Sequence, residues 1–270
     1  MRRVRKVGII GCGAIGTSIA TFIDSNLRGK LKLVGICDKD KKRLSAVKKL
    51  LHQKPRVFSL ARIVEHSDLI IEAATIDVAK KVILAGIKNN KDLIVLSVGV
   101  FVFYPHIISM VRKYEGNLYI PSGAICGIDG LQSLRFITIK KLILTTSKPP
   151  QSLKGGAFLD SGKVNIERLQ KPKVLFKGGI KKAIQHFPRN INVAATIFLA
   201  SQFQNIEVVI RVDPTLRRNT HSIEAISDEA CMKIEVENIP SQLNPKTSYL
   251  AILSTQALLE KITSNIKIGT

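Results

Sequence analysis

Tryptophan is absent from this 270-residue chain, and aromatic residues make up only 5% of it. Rings on which single-stranded nucleic acid could stack are therefore scarce, and no helix-turn-helix or zinc-finger pattern takes their place. Cysteine is sparse too. Cys12, Cys37, Cys126 and Cys231 are scattered, form no C-x-x-C pair and share no metal-ligand spacing with the histidines. They read as free thiols of a reducing compartment, and no metal is expected. Long apolar runs are missing as well. The opening MRRVRKVGIIGCG carries only a short one, and no stretch approaches the roughly 18 apolar residues of a spanning helix. These shortages argue against a membrane protein or a disulfide scaffold, and a cytoplasmic protein is expected. Acidic residues are the last shortage: 20 Asp and Glu face 42 Lys and Arg, a net charge of +22. Such a surface attracts polyanions, and equally small dianions. The basic residues are dispersed and form no tail, so the charge is read first as a general property of the surface.

What is present is an ordinary core complement, 45% apolar residues, in two textures. Up to about residue 120, apolar runs at 7–10, 31–37, 68–73, 93–98 and 118–120 alternate with amphipathic segments at 14–24, 41–51, 77–89 and 105–114. In the second of these helices Leu44, Val47, Leu50 and Leu51 share one face. The alternation predicts βαβ units and a parallel sheet. After Pro121, strand-like segments at 141–146, 173–176, 206–212 and 232–236 follow one another, with helical stretches at 128–136 and 192–203. That pattern predicts an α+β domain on a largely antiparallel sheet. A last amphipathic helix, 250–262, is expected to return to the first domain. The fold class predicted is α/β, a doubly wound parallel Rossmann sheet with a second α+β domain. Residues 1–120 with the C-terminal helix of 246–270 would form the dinucleotide-binding domain, and residues 121–245 the substrate and oligomerisation domain.

The segment VGIIGCGAIG sets Gly11, Gly13 and Gly16 in a G-x-G-x-x-G arrangement between a strand and a helix. Gly11 permits the tight turn, Gly13 lets the backbone approach a pyrophosphate, and Gly16 lets the helix pack on the strand. The helix start at Ala14 and Ile15 offers amides to the phosphates. Asp38 ends the second strand, where a carboxylate accepts hydrogen bonds from ribose hydroxyls. The turns at 72–74, with Ala73, and at 97–99 end later strands and should line the nicotinamide half of the crevice. The cofactor is NAD or NADP. Asp38 repels a 2′-phosphate, whereas Lys39, Lys41, Lys42 and Arg43 could neutralise it, so both are expected to work, NAD better.

Four later segments combine polar residues with Gly and Pro, as shaped loops and element boundaries do: PSGAICGIDGL (121–131), FPRNINVAAT (187–196), DPTLRRNTHSI (213–223) and ENIPSQLNPKTS (237–248). Together with GCGAIG, EAAT, SVG and TTSKPP (145–150), these segments resemble the L-aspartate dehydrogenase family, in order and over nearly the whole chain. The resemblance implies oxidation of L-aspartate to iminoaspartate with NAD or NADP, in some organisms for NAD biosynthesis with hand-over to quinolinate synthase. It also implies a homodimer or higher homo-oligomer. It makes His221 the catalytic residue, and Ala124 with Asn190 or Asn192 cofactor contacts. An imidazole suits the proton transfer that must accompany hydride loss from an amine-bearing carbon, and Asn219 and Thr220 are neighbours that could fix its tautomer. Candidates for the two substrate carboxylates are Lys246, Thr145 and Thr146, with Lys148, Arg217 and Arg218 behind them. Three features depart from the family pattern: Ser147 stands in place of an arginine, Cys126 in place of a smaller residue, and the chain is unusually basic. The rival readings are a reductase of the dihydrodipicolinate reductase or homoserine dehydrogenase plan, and a non-catalytic cofactor-sensing or nucleic-acid-binding protein.

Overall fold

The computed structural model describes residues 3–153, 166, 169–187 and 191–269. Two compact units divide the chain: Met1–Pro121 with Ala251–Ile268, and Ser122–Leu250 with Gly269–Thr270. Unit 1 runs β1 (Arg5–Ile10), α1 (Ala14–Asn26), β2 (Leu31–Cys37), α2 (Lys41–Leu50), β3 (Arg56–Val57), α3 (Leu60–His66), β4 (Leu69–Glu72), α4 (Ile76–Lys88), β5 (Asp92–Val95), α5 (Val100–Phe103), α6 (His106–Val111) and β6 (Leu118–Tyr119). Unit 2 runs α7 (Ile128–Leu134), β7 (Lys141–Lys148), α8 (Pro150–Leu153), β8 (Lys173–Gly179), α9 (Ile180–His186), α10 (Ile191–Ser201), β9 (Glu207–Val212), β10 (Asn219–Ile226), β11 (Cys231–Asn238), β12 (Pro240–Ser241) and β13 (Asn244–Ser248). The last helix, α11 (Tyr249–Thr263), belongs to unit 1 from Ala251 onward.

The six strands of unit 1 are all parallel, in the order β3-β2-β1-β4-β5-β6. Helices cover a parallel sheet on both faces, so its central strands are largely apolar. All four residues of β4 and the last four of β1 are buried. Ile9, Ile19, Ile23, Leu31, Ile36 and Ile71 share one core with Leu259 of α11. The buried Ile252, Thr255 and Leu259 form one stripe along that helix. Strand succession reverses between β1 and β4, the crevice where open α/β sheets bind ligands.

Asp24, fully buried near the end of α1, fastens the segment after α2. Its carboxylate accepts the N–H groups of His52 (2.7 Å) and Gln53 (3.0 Å), and lies 2.9 Å from the His52 ring Nδ1 and 3.6 Å from the Arg28 guanidinium. Burial pushes this carboxyl up. The hydrogen bonds from Gln53 and His52 and the charge of Arg28 outweigh it and bring the group down to about 2.

In unit 2 a five-stranded sheet runs β11-β10-β7-β9-β8, antiparallel except for the parallel pair β7 and β9. The fold class is the one the sequence predicts, with local differences. The short β3 and α3 were not expected. The helix predicted at 105–114 is the shorter α6, and before it lies the unexpected α5, which stops at Tyr104 because that residue precedes a proline and takes φ −128°, ψ 69°. The largest difference is β10: the segment 213–223 lies at an element boundary as expected, but the strand that begins within it, an interior strand of the sheet, was not predicted.

Candidate active site

In unit 1 the candidate residues act through backbone. Gly11 adopts φ +98°, and a Cβ there would lie 2.4 Å from the Ala73 carbonyl oxygen, so the turns after β1 and β4 touch. A Cβ on Gly16 would fall 1.8 Å from the Gly11 oxygen. At Gly13 the space is open: the nearest atom to an added Cβ is Arg43 Nη1, at 3.8 Å. Gly13 caps α1, no side chain caps that end, and no acidic residue occupies its first turn. Amides at such a helix start are unsatisfied and carry the positive end of the dipole. The residues present therefore fit a dinucleotide: an open glycine at the start of a 13-residue helix, with Ala14 and Ile15 in the first turn.

Asp38 follows β2 as expected, but it also shapes the loop. Its carboxylate accepts the Cys12 N–H (2.6 Å) and the Asp40 N–H (2.8 Å). The Cys12 amide is thus spent on Asp38, which leaves the amides from Gly13 onward for phosphate. Burial first, then the Asp38 and Cys37 charges, pushes the Cys12 thiol up to about 12, so it is inert near neutrality. Of the four cations after Asp38, Arg43 sits beside the loop, held to Asp40 at 3.4 Å. Ala73 donates its N–H to the Ile10 carbonyl (2.8 Å). The sequence reading missed Glu72, which joins the two turns of the predicted nicotinamide side. Fully buried, it accepts the N–H of Ala74 (2.7 Å) and both the N–H and hydroxyl of Ser97 (3.0 and 2.8 Å). Its visible signal was a carboxylate ending an otherwise apolar strand.

Unit 2 builds with side chains. His221 lies on β10, 7% exposed, directly across from Thr146 of β7. Its Nδ1 is 3.0 Å from the Thr146 hydroxyl. Burial above all, and the charge of Lys148, push the imidazole down to about 4, so the ring is neutral at pH 7. Lys148 follows Thr146 by two residues and shares its face of the strand. The same alternation corrects two expectations. Thr145 and Thr146 face opposite sides of β7, so their hydroxyls do not form one carboxylate site. Thr220, next to His221 in the chain, faces away from it, and the ring's partner comes instead from a strand 75 residues away. On the opposite face Arg211 donates to the Ser147 hydroxyl (3.0 Å).

Asn238 is the second residue the sequence reading missed, although ENIP contained it. Buried at the end of β11 and paired with Asn219, it donates to the Ala124 carbonyl (3.1 Å) and accepts from the Ser248 hydroxyl. It thereby joins three of the four distal segments. Two atoms flanking His221, Asn219 Oδ1 and Thr220 Oγ1, are buried without a hydrogen-bond partner. Asn219 shares the face of His221, so its oxygen is an available acceptor there. Asn192 is exposed on α10, and its carbonyl accepts from Thr196 (2.9 Å). Lys246 falls within β13; its side chain, and Asn190 altogether, lie outside the described residues.

Known proteins share this plan along its full length. L-aspartate dehydrogenase of Methanosarcina mazei is 37% identical over 272 residues, 98% of this chain and 99% of that one. The chain belongs to the L-aspartate dehydrogenase family. The homologue from Nitrosopumilus maritimus is 36% identical, covering 99% of this chain and all of its own. The crystal structure of aspartate dehydrogenase from Thermotoga maritima superposes with a TM-score of 0.78 at 27% identity, over 99% of this chain and 100% of that one. The family model "Aspartate dehydrogenase, C-terminal" matches residues 129–262, and "Homoserine dehydrogenase, NAD binding domain" matches residues 11–121. The cofactor class is a nicotinamide dinucleotide, NAD or NADP. The second match explains why a homoserine dehydrogenase plan was a rival: it is shared by the cofactor half, whereas the other half carries the family's own signature.

Proposed function

We propose that the protein catalyses the NAD(P)-dependent oxidative deamination of L-aspartate, giving iminoaspartate and, on hydrolysis, oxaloacetate and ammonia. The observation that carries the reading is His221: a buried, neutral imidazole next to a lysine, in a chain similar to L-aspartate dehydrogenases from end to end. When bound, the nicotinamide accepts a hydride from carbon. The chain's own residues do the rest. Unit 1 holds the dinucleotide, with the Gly13, Ala14 and Ile15 amides on the pyrophosphate, Gly11 and Gly16 shaping the loop, Asp38 on the ribose and Ala73 in the turn on the nicotinamide side. The family resemblance adds Ala124 and either Asn190 or Asn192 as cofactor contacts. His221 takes a proton from the substrate ammonium, and the electron pair left on nitrogen drives hydride departure from Cα. Lys148 and Lys246 are the cations for the substrate carboxylates; charge-assisted bonds of this kind contribute about 1.5–3 kcal/mol each.

The family resemblance supports a homodimer or higher oligomer built through the second unit. It also supports a cytoplasmic role in NAD biosynthesis, with iminoaspartate passed to quinolinate synthase. NAD is expected to be the better cofactor because of Asp38, with NADP tolerated through Arg43. The test is a substrate screen following reduced cofactor by absorbance, with NAD and NADP, on the wild type and His221→Ala. L-aspartate should turn over, and the variant should lose activity by about 10²- to 10⁴-fold while binding dinucleotide normally. Full activity in the variant would refute the role of His221, and strict NADP dependence the cofactor preference.

A further inference from the structure

We propose that Thr146 is a positioning residue for this reaction: its hydroxyl accepts the Nδ1–H of His221 and so leaves Nε2 as the ring's proton acceptor. The inference rests on the reading of His221 as the base, and deepens it. A neutral imidazole carries one proton on either nitrogen, and the hydrogen bond made by one nitrogen sets the state of the other. In water a histidine side chain favours the Nε2–H form. A base that works through Nε2 therefore needs a partner that draws the proton to Nδ1.

Thr146 is placed to be that partner. It lies across from His221 in the β7–β10 register, its hydroxyl is 3.0 Å from Nδ1, and both residues are buried. Sheet pairing fixes the two backbones, and burial restricts both side chains. Ala183, Ile184, Phe187 and Ala194 close around Thr146 with the apolar residues of β7 and β9. A hydroxyl can donate or accept, so the direction is decided on the far side of the ring. A substrate ammonium presents only donors. Facing it, Nε2 must offer a lone pair; Nδ1 then carries the proton, and Thr146 accepts. The charged groups nearby agree with a ring that holds a single proton. Lys148 shares the Thr146 face of β7; on β11, His221 pairs with Val236, while Glu235 and Glu237 are exposed at the alternate positions. On α9, Lys181, Lys182 and His186 are exposed, and α10 has no ionisable residue.

The experiment is ¹⁵N NMR of the His221 ring at pH 7 in the wild type, Thr146→Ser and Thr146→Val, beside aspartate kinetics and dinucleotide affinity. The Nδ1–H form is expected in the wild type and the serine variant. The valine variant should revert toward Nε2–H and lose kcat on the order of 100-fold, as a general base in the wrong tautomer does, with dinucleotide affinity unchanged. Serine should restore kcat to within a few-fold of wild type. A wild-type ring in the Nε2–H form overturns the proposal, as does a valine variant with wild-type kcat. If the valine variant fails to fold, the wild-type tautomer and the serine variant decide. A wild-type Nδ1–H ring in a protein that does not turn over aspartate would overturn the functional reading instead and leave the tautomer assignment standing.

Discussion

The two units make their contributions by opposite means. Around Gly11, Gly13 and Gly16 the chain offers backbone, and the essential feature is side chains that are missing. Around His221 it offers side chains drawn from separate strands: His221 from β10, Thr146 and Lys148 from β7, Asn238 from β11. A backbone site depends on local conformation and so can be written in one short segment. A side-chain site depends on register, and its members can be far apart in sequence.

The sharpest way to break this contrast is within the glycine loop itself. Gly16→Val should abolish the fold of unit 1 or cost more than about 3 kcal/mol, since the clash at 1.8 Å is with backbone. Gly13→Ala, whose added carbon meets nothing within 3.8 Å, should leave the melting temperature within a few degrees while weakening dinucleotide binding about tenfold or more. Thermal melts and titration check both. Equal loss of stability in the two variants would show that Gly13 is structural too.

The next effect concerns the imidazole. With the folded value near 4 and the unfolded one near 6.5, the unfolded chain binds a proton first as pH falls. The neutral ring's contribution is thus intact above about 6.5 and is lost between there and 4, roughly 3 kcal/mol in all. Denaturant melts over that range should show the slope, and His221→Gln should flatten it. Asp24 gives a smaller effect in unit 1, from a carboxylate rather than an imidazole. Its carboxyl, near 2 when folded against 3.8, stabilises fully above about 4 and loses that stabilisation as pH falls toward 2. At most about 2 kcal/mol is involved, because His52 and Arg28 are largely exposed. The gap in melting temperature between Asp24→Asn and the wild type should be smaller at pH 3 than at pH 7. The smallest expected effect is Arg43→Ala, which should lower kcat/KM for NADP a few-fold more than for NAD; equal changes would remove Arg43 from cofactor choice.

Legibility followed the same division. The parallel sheet was readable because its strands are buried on both faces and so appear as apolar runs, such as Leu69, Ile70 and Ile71 in β4. The glycine loop was readable because spacing alone defines it. The strand that carries His221 was not. Its inward positions are Asn219, His221, Ile223 and Ala225, and the polar pair at the start hides the alternation that Ile223 and Ala225 continue. Polar residues on the inward face of a strand thus mask its hydrophobic signal. The β3–α3 segment escaped for a plainer reason: two and seven residues are too few to show a period. Glu72 and Asn238 were in view as letters, but each acts by joining segments that the sequence holds apart.

By itself the sequence determined the doubly wound sheet, the place of the glycine loop and the carboxylate after β2, since these follow from periodicity, glycine spacing and chain order. Only the tertiary structure decided that Thr146 rather than Thr145 or Thr220 meets His221, that Asp38 takes the Cys12 amide, and that Asn238 draws three distal segments together. Those choices rest on strand register, in which a shift of one residue turns a side chain to the other face, and no local pattern of residues fixes it.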